Sequence, residues 1–496
     1  MNMEHLAAAL DNFTWGPAMI VIMGVTAVFF TVLMGFPQIR LFRHLIINTF
    51  GGNKKENGIS PFQSFSIALG GRVGTGTITG TAGAILAGGP GAVFWMWLIA
   101  LLGSATAFVE STLGQIFKKK IRGEYVGGPA FYIETGLGWK KTAAVYAGVT
   151  AFFMLIFASI QSNAFASIVK SNFQVSSVLI GVAYAVLLFL VIFGGAKKIA
   201  KVAEVIVPFM TAGYILLALV MFIVNYQEIP HTFGMIFKSA FGIDAVFGGI
   251  VGNAISWGFK RGSLSHEAGQ GTGAMVSGTA EVSHPAKSGL AQAFSVIVTI
   301  LISTATVFMI FSTKSFNVAS PAGGFLMENV KGLSSGEFTS YAINSFVPGF
   351  GAVFISVAMF LFTFTTVLAY SIYLESSVVY FLKEKAETAR LKQCMTVLNV
   401  LMIGMVVSGA FVSADLVWSV ASICSGIVSI INLISVFCLR KYAFAALKDY
   451  ERQVKAGIDP VFVPKDCDIQ HAELWERIVA EQYADEKEEY GKVFGR

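Results

Sequence analysis

Side chains that could bind an ion or a small charged ligand gather at two glycine-rich stretches of a very apolar chain. In the first stretch, residues 68–89, glycine alternates with threonine over Gly74–Thr77. In the second, residues 263–278, His266 and Glu267 precede closely spaced glycines. Carbonyl and hydroxyl oxygens suit hard cations, and free N–H groups at the start of a helix suit a carboxylate. Both stretches therefore predict ligand binding.

The alternation in the first stretch predicts a local loss of helix. Glycine lowers helix stability, so Gly74 and Gly76 should let the backbone unwind over Val73–Thr77. Unwinding would free carbonyls for a cation and N–H groups for a carboxylate. The alternative is a close crossing of two helices, which also favours small residues. A crossing needs one small face rather than a continuous run of small residues.

The second stretch has a stronger signal for a break. Gly269, Gly271 and Gly273 recur at every second position, a period that matches no helical face. We therefore expect a non-helical segment around Ser265–Thr272. In hydrocarbon every backbone N–H and C=O needs a partner, so a broken helix persists only where it is buried or lines a polar cavity.

Acidic residues in the apolar regions have two interpretations. An acid at membrane depth is costly, which makes Glu267 a candidate functional residue. It could equally be a structural partner for a nearby cation, since an unpaired buried charge costs still more. The candidate cations are Arg72, Lys260 and Arg261. Glu110 is a further buried acid, which we expect to be paired.

Composition places these stretches in a membrane protein. The chain is 55% hydrophobic and 13% charged, with a mean hydropathy of +0.69, which excludes an ordinary soluble protein. The net charge of +6 does not predict nucleic-acid binding, because the basic residues flank apolar segments. The four cysteines have neither metal-ligand spacing nor a disulfide pattern. We expect membrane lipid around the chain and leave its oligomeric state open.

Hydropathy predicts an all-α membrane protein with eleven transmembrane helices, because about 20 apolar residues suffice to cross a bilayer. The predicted spans, numbered 1 to 11, are about 17–36, 62–87, 91–116, 142–168, 176–194, 202–225, 244–282, 288–312, 347–382, 393–413 and 416–438. Span 2 contains the first glycine stretch, and span 7, which we expect to be broken, contains the second.

The distribution of lysine and arginine predicts the orientation. If the N-terminus is extracytoplasmic, eighteen basic loop residues fall inside: Arg40, Arg43, Lys54, Lys55, Lys118, Lys119, Lys120, Arg122, Lys140, Lys141, Lys197, Lys198, Lys201, Lys287, Lys383, Lys385, Arg390 and Lys392. Four fall outside: Lys170, Lys238, Lys314 and Lys331. The asymmetry favours an extracytoplasmic N-terminus and a cytoplasmic C-terminus in a plasma (inner) membrane.

The two glycine stretches occupy equivalent places. Without span 1, spans 2–6 and 7–11 form two sets of five, which must insert in opposite orientations, and each set begins with a broken span. Paired discontinuous helices in inverted repeats mark the binding site of a secondary transporter. The predicted segments are 1–61 (N-terminus, extra helix and basic loop), 62–225 and 226–439 (the repeats), and 440–496. The last is a charged cytoplasmic tail with an amphipathic helix near Ala472–Tyr490.

Two other spans carry polar side chains. Span 4 has Gln161 beside a serine and an asparagine, an amide that could bind a ligand or join helices. Span 9 has a threonine cluster that includes Thr365 and Thr366, followed by Tyr370. Threonine hydroxyls could complete a cation site begun by span 2 carbonyls, or could bond to their own helix backbone.

Four motifs identify a family resemblance. They are VGTG at 73–76, LAGGPGAVFWMW at 86–97, GGPAFYIETGLG at 127–138 and KRGSLSHEAGQG at 260–271. With these motifs the chain resembles the sodium:alanine (alanine or glycine:cation) symporter family over nearly all its spanning length. The resemblance implies a divergent branch of the amino acid–polyamine–organocation superfamily. It also implies the 5+5 inverted repeat of leucine-transporter-like folds, preceded here by one extra helix.

The resemblance also implies two sets of site residues. The sodium ligands would be the Gly70 and Val73 carbonyls with Thr365 and Thr366. The substrate would contact Thr75, Gly76, Thr77, Gln161, Ser265, Gly269 and Tyr370. Thr75, Gly76 and Thr77 would hold its carboxylate.

The chain departs from the family pattern near these residues. Thr77 replaces a usual asparagine, His266 another asparagine, Tyr370 a tryptophan and Val298 an aspartate. These differences leave the substrate open. We expect a symporter that imports a small, alanine- or glycine-like amino acid with Na⁺ by alternating access.

Other functions remain as rivals of this prediction. A transporter of the same fold could carry a larger amino acid or amide, such as glutamine, or could use protons. A channel would need a continuous polar pore lining, whereas the polar residues concentrate at the breaks. A membrane enzyme would need a nucleophile–base or metal cluster, and no spacing supplies one.

Overall fold

The computed structural model describes residues 10–11, 13–51, 58–244, 246–385, 389–411 and 414–495. Lys54 and Lys55, two of the basic residues used to predict orientation, lie outside these ranges. The described chain is almost entirely helical.

Helices follow one another along the chain, and we number them in order. In the first half they are α1 Pro17–Leu33, α2 Pro37–Arg40, α3 Phe42–Phe50, α4 Pro61–Arg72, α5 Thr81–Gly88, α6 Gly91–Ile116, α7 Pro129–Leu137, α8 Lys140–Phe173, α9 Ser177–Ile192, α10 Gly195–Val224 and α11 Ile229–Ala240. In the second half they are α12 Val251–His266, α13 Thr272–Thr279, α14 Pro285–Ser312, α15 Phe338–Phe346, α16 Phe350–Leu382, α17 Ala389–Ser408, α18 Ala414–Lys455, α19 Glu473–Gln482 and α20 Ala484–Phe494. Short 3₁₀ turns cover Tyr226–Glu228, Gly248–Ile250, Ser335–Glu337, Lys383–Lys385 and Pro464–Cys467.

Long apolar helices confirm a multi-pass membrane protein. Among the described residues, seven helices are long and apolar enough to cross a bilayer, namely α6, α8, α10, α14, α16, α17 and the 417–455 part of α18. The helices α1 and α9 are shorter and also apolar. Helices or helix pairs lie at each of the predicted spans, and the count of eleven crossings remains a prediction.

Local sequence explains where the site-bearing helices begin. Pro61 follows Ser60, whose hydroxyl accepts a hydrogen bond from the Gln63 N–H while the Gln63 side chain binds the Ser60 N–H. The start of α14 likewise has a proline at its first position, capped by the His284 ring. In the interior, α8 packs along α16, and α6 packs against α12 and α14.

Two β-hairpins interrupt the helical chain. Lys119–Ile121 pairs antiparallel with Glu124–Val126, and Asn317–Ala319 pairs with Phe325–Glu328. The first hairpin turns at Arg122 and Gly123, which have φ values of 53° and 81°. Two successive positive φ values are typical of the turn that joins tightly paired strands. The sequence analysis did not predict these short strands.

The tail differs from its predicted form. The last spanning helix continues through the predicted boundary at 439/440 to Lys455, and the single amphipathic helix near Ala472–Tyr490 is two helices, α19 and α20. Trp475 of α19 is fully buried, and its indole N–H donates to the Gln115 carbonyl at 2.9 Å. The tail therefore packs against the rest of the molecule.

Candidate functional site

The first break, residues 73–80, separates α4 from α5. Residues 73–75 are not helical, and Gly76–Gly80 forms a π-type turn. The fully unwound part is thus shorter than the predicted Val73–Thr77. The Thr77 hydroxyl explains the difference, because it donates to the Val73 and Gly74 carbonyls at 3.1 and 3.2 Å and so keeps that turn wound.

Glycine is required at position 74 because two side chains approach the backbone there. A Cβ atom on Gly74 would lie 2.6 Å from Thr366 Oγ1 and 2.7 Å from Gln161 Oε1. Gln161 Oε1 accepts the Thr75 N–H at 3.1 Å. The Gln161 amide also donates to the Tyr370 hydroxyl at 3.4 Å. The amide of α8 therefore joins the first break to α16.

The structure brings together most of the predicted sodium ligands. The Thr366 hydroxyl reaches across from α16 to the Gly70 carbonyl at 2.7 Å, and Thr365 Oγ1 lies 3.3 Å from the position of a Gly70 Cβ. The Val73 carbonyl instead accepts the Thr77 hydroxyl. Carbonyl and hydroxyl oxygens from α4 and α16 form a donor set whose chemistry suits Na⁺.

A small cavity, with about 10 Å³ open to a water-sized sphere, lies beside the first break. Its lining includes four predicted substrate-binding residues, Thr75, Gly76, Gln161 and Tyr370. That space is about what one water molecule needs. The Thr75 hydroxyl is buried without a hydrogen-bond partner among the described residues, so it is available to a ligand.

The cavity wall also contains residues that sequence reasoning did not select as ligands. Phe157 of α8 stacks on Tyr370 with ring centroids 5.4 Å apart and meets Trp418 edge-on at 5.8 Å. The Arg261 guanidinium lies 5.0 Å from the Trp418 ring. Nothing in their spacing connects these residues, since packing alone brings α8, α12 and α18 together.

Three predicted substrate residues lie outside the cavity lining. Thr77 is fully buried, and its hydroxyl bonds to the backbone of its own break. Ser265 contacts Gly76, where an added Cβ would lie 3.2 Å from the Ser265 Cα. Gly269 belongs to the second break.

The second break, residues 267–271, separates α12 from α13 and lies within the predicted Ser265–Thr272 window. Glu267, Gly269 and Gly271 have φ values of 54°, 89° and 86°. Positive φ costs glycine little, which explains the alternating glycines. The amide groups of Gly269 and Gly271 both donate to Glu110 Oε2 at 3.1 Å. Glu110 is therefore paired, as expected, with backbone as its partner.

Further side chains fix the second break. The Asn432 amide donates to Glu110 Oε2 and to the Gly269 carbonyl, each at 2.9 Å, and the Tyr132 hydroxyl donates to Asn432. The Tyr146 hydroxyl donates to the Gln270 carbonyl at 2.6 Å. Both backbone polar groups of Gly269 are bound by protein, so its predicted role as a substrate contact has no support in the geometry.

The three candidate cation partners of Glu267 have separate surroundings. Lys260 pairs with Asp11 at 2.6 Å, and Arg261 packs on the Trp418 ring. Arg72 donates to Ser295 and Gln292. Of the three, Arg72 interacts electrostatically with Glu267 and also with Glu110.

The remaining departures from the family pattern are both buried. His266 is the last residue of α12, and its Nδ1 accepts the Ala268 N–H at 3.0 Å. Val298 lies on α14, outside the cavity lining.

Comparison with known proteins agrees with this architecture. Residues 1–464 match the sodium:alanine symporter family. MhsT, solved in complex with L-phenylalanine, has a TM-score of 0.53 at 15% identity, covering 86% of this chain and 96% of MhsT. At that identity the match shows the fold alone, a leucine-transporter-like fold.

Curated relatives match over almost their whole length. YrbD of Bacillus subtilis, named as a sodium/proton-dependent alanine carrier, is 45% identical over 96% of this chain and 98% of that protein. The sodium/proton-dependent alanine carrier of Bacillus sp. PS3 is 40% identical over 86% and 95%. GlnT of B. subtilis, named as a sodium/glutamine symporter, is 37% identical over 93% of each. The chain therefore belongs to the sodium:alanine symporter family and is a sodium-coupled transporter rather than an enzyme.

Proposed function

We propose that this chain imports alanine, or a similarly small neutral amino acid, together with Na⁺. The observation that carries the proposal is the cavity at the first break, where glycine backbone, the Thr75 hydroxyl and the Gln161 amide converge beside a cluster of cation-binding oxygens. The names of the relatives support alanine and sodium as the transported pair.

The proposed roles follow the geometry. The substrate carboxylate binds at Thr75 and Gly76, where the backbone leaves the helix, and Gln161 and Tyr370 orient it from α8 and α16. Ser265 remains a proposed substrate-binding residue because it contacts Gly76. Thr77 instead holds the turn of the first break through the hydrogen bond from its hydroxyl to the Val73 carbonyl. Na⁺ takes the oxygens of Gly70, Val73, Thr365 and Thr366 after the threonine hydroxyls turn from their present acceptors.

The architecture is proposed in the form that the sequence predicts. Eleven crossings comprise one extra helix and two inverted five-helix repeats, over segments 1–61, 62–225, 226–439 and 440–496. The N-terminus is extracytoplasmic, the C-terminus is cytoplasmic, and the bilayer is the plasma (inner) membrane. Exposed apolar side chains on α10, such as Val205 and Phe209, support contact with lipid there. The amino acid–polyamine–organocation superfamily remains the proposed wider grouping.

A transporter of glutamine is the second candidate, supported by the similarity to GlnT. The size of the cavity and its aromatic wall, Phe157 and Trp418, favour the smaller substrate.

Uptake by the purified chain in proteoliposomes tests the proposal. We expect labelled alanine to accumulate under an inward Na⁺ gradient and not under a matched choline gradient, with unlabelled alanine competing better than glutamine. Accumulation of glutamine in preference to alanine would select the second candidate. Alanine uptake that ignores the Na⁺ gradient would refute sodium coupling.

A further inference from the structure

Arg261 of α12 is a charged side chain in the wall of the cavity at the first break. It lines the cavity together with Thr75, Gly76 and Gln161. Among the described residues that line this cavity, the other charged side chain is Arg72, and none is acidic. Fixed positive charge in the wall of a cavity favours an anionic group inside it.

The helix α12 turns the face that carries Arg261 toward the first break. Arg261 and Ser265 are four residues apart in this helix, so they lie on the same face. Ser265 contacts the first break, where a Cβ on Gly76 would lie 3.2 Å from the Ser265 Cα. Leu264, three residues after Arg261, also lines the cavity. Arg261 therefore lies on the side of α12 that packs against the proposed carboxylate site.

Two tryptophan rings hold the guanidinium of Arg261 in place. Its central carbon lies 5.2 Å from the centre of the Trp257 ring and 5.0 Å from that of the Trp418 ring. Cation–π contacts of this kind stabilise the positive charge. An aromatic ring offers no oxygen to accept a hydrogen bond, so the N–H groups of the guanidinium remain available to another partner.

The guanidinium of Arg261 lacks a partner of opposite charge. Its Nε is buried and has no hydrogen-bond acceptor among the residues that the structure describes. Asp11 acts on it electrostatically but pairs with the neighbouring Lys260 at 2.6 Å. A buried donor of a charged group is costly when it has no acceptor. A ligand carboxylate would supply one, because its two oxygens match the fork of N–H groups on a guanidinium.

Arg72, the other cation in the cavity wall, is bound elsewhere. Its Nη1 donates to the Gln292 side-chain oxygen of α14 at 3.3 Å and also to Ser295. Its Nη2 lies 2.6 Å from the position of a Cβ on Gly273 of α13. The guanidinium of Arg72 therefore faces α13 and α14, and Arg261 is the lining cation that remains for a ligand.

We propose that Arg261 is a substrate-binding residue whose guanidinium pairs with the carboxylate of the transported amino acid. The cavity now has room for about one water molecule, so the pair forms when the wall rearranges around the amino acid. This inference rests on the proposed function and adds a residue to its substrate site. It also makes the carboxylate a requirement, because a ligand without one leaves Arg261 unpaired.

Competition by alaninamide, which has a neutral amide in place of the carboxylate, tests the pair. The assay is Na⁺-driven uptake of labelled alanine into proteoliposomes, and the measured quantity is the inhibition constant of alaninamide divided by KM for alanine. This ratio should be large in wild type. In Arg261→Gln, KM should rise about tenfold or more through loss of a charge-assisted hydrogen bond, while the inhibition constant of alaninamide should hardly change. The ratio should therefore fall.

Two further variants make the test specific. Arg261→Lys keeps the charge without the planar fork, so its ratio should lie between those of wild type and Arg261→Gln. Lys260→Gln removes the adjacent cation, which does not line the cavity, and should keep the wild-type ratio.

The outcomes separate this inference from the proposed function. Equal rises in both constants in Arg261→Gln would show that Arg261 acts only through structure, and so would overturn the proposal. An unchanged KM, or no inhibition of either protein by alaninamide, overturns it as well. If Arg261→Gln does not fold, Arg261→Lys decides, and a wild-type ratio in that variant overturns the pair. Absence of Na⁺-driven alanine uptake in wild type refutes the proposed function instead.

Discussion

The two breaks occupy equivalent places in the chain but are held in different ways. The backbone of the second break is bound by a carboxylate, a tyrosine and an asparagine from three other helices. The first break is held by fewer contacts, chiefly Gln161 and Thr366, and it borders the cavity with an unpartnered Thr75 hydroxyl. Similar glycine patterns can therefore serve different purposes. In the proposed mechanism the first break binds the ligands, and the second is a fixed point beside it.

Glu110→Ala should have the largest effect, because it removes the acceptor that fixes the second break. It leaves two backbone amides and the Asn432 amide without their acceptor. We expect a loss of stability on the order of 3–5 kcal/mol, seen as low membrane abundance and a lower unfolding temperature in detergent. Glu375→Ala is the matched control. Equal abundance of the two variants would contradict a fixing role for Glu110.

Thr366→Val should change the response to sodium and leave the fold intact. The Thr366 hydroxyl reaches Gly70 on α4, whereas that of Thr363 bonds to its own helix backbone at Met359. Losing one sodium ligand should raise the half-saturating Na⁺ concentration about tenfold, which is about 1.4 kcal/mol. Thr363→Val should leave it unchanged. A similar change in both variants would mean that the threonines act only through helix packing.

Gln161→Leu should weaken alanine binding by a smaller amount. The substitution removes the acceptor of the Thr75 N–H and a polar contact with Tyr370. We expect KM for alanine to rise about fivefold, since one net hydrogen bond contributes about 1 kcal/mol. Ser162→Ala, a neighbouring buried hydroxyl with no partner among the described residues, should keep the wild-type KM. A KM unaffected in Gln161→Leu would separate Gln161 from the substrate.

The last effect concerns a clamp just after α13, formed by Lys118. Lys118 donates to the Ala280 carbonyl at 3.2 Å and lies over the Tyr125 and Trp475 rings. Burial lowers the pKa of Lys118 to about 7 from 10.5. Between these values the unfolded chain binds more protons than the folded chain, so this residue makes stability rise with pH from about 7 upward.

Thermal unfolding in detergent between pH 6.5 and 9 tests this contribution of Lys118 to stability. Wild type should gain more stability over this range than Lys118→Met, and the exposed Lys120→Met should follow wild type. The same pH slope in all three proteins would show that Lys118 does not titrate as its burial requires.

Sequence patterns predicted the helices and both breaks because these depend on local properties. Long apolar runs predict helices, and glycines at every second position, such as Gly269 and Gly271, predict a non-helical backbone, whatever the tertiary contacts are. The pattern could not show what each freed N–H group would face. Gly269 was assigned to the substrate because an acceptor far along the chain, Glu110, cannot be placed without the tertiary fold.

The cavity wall was beyond sequence reasoning for the same reason. Phe157, Arg261 and Trp418 come from three helices whose spacing gives no sign of their meeting. The sequence predicted that Thr77 contacts the substrate, but a hydroxyl beside a break can bond either to a ligand or to its own backbone. In the structure the turn at Gly76–Gly80 is wound, and the Thr77 hydroxyl bonds to its own backbone.

The buried tail has a consequence for how the protein is made. Trp475 binds the Gln115 carbonyl, and the Phe462 N–H binds the Ser283 carbonyl at 2.9 Å. A ribosome synthesises these tail residues after every spanning helix. Until then Gln115 at the end of α6 and Ser283 just before α14 lack these partners, so a chain that stops before Phe462 leaves this face of the molecule incomplete.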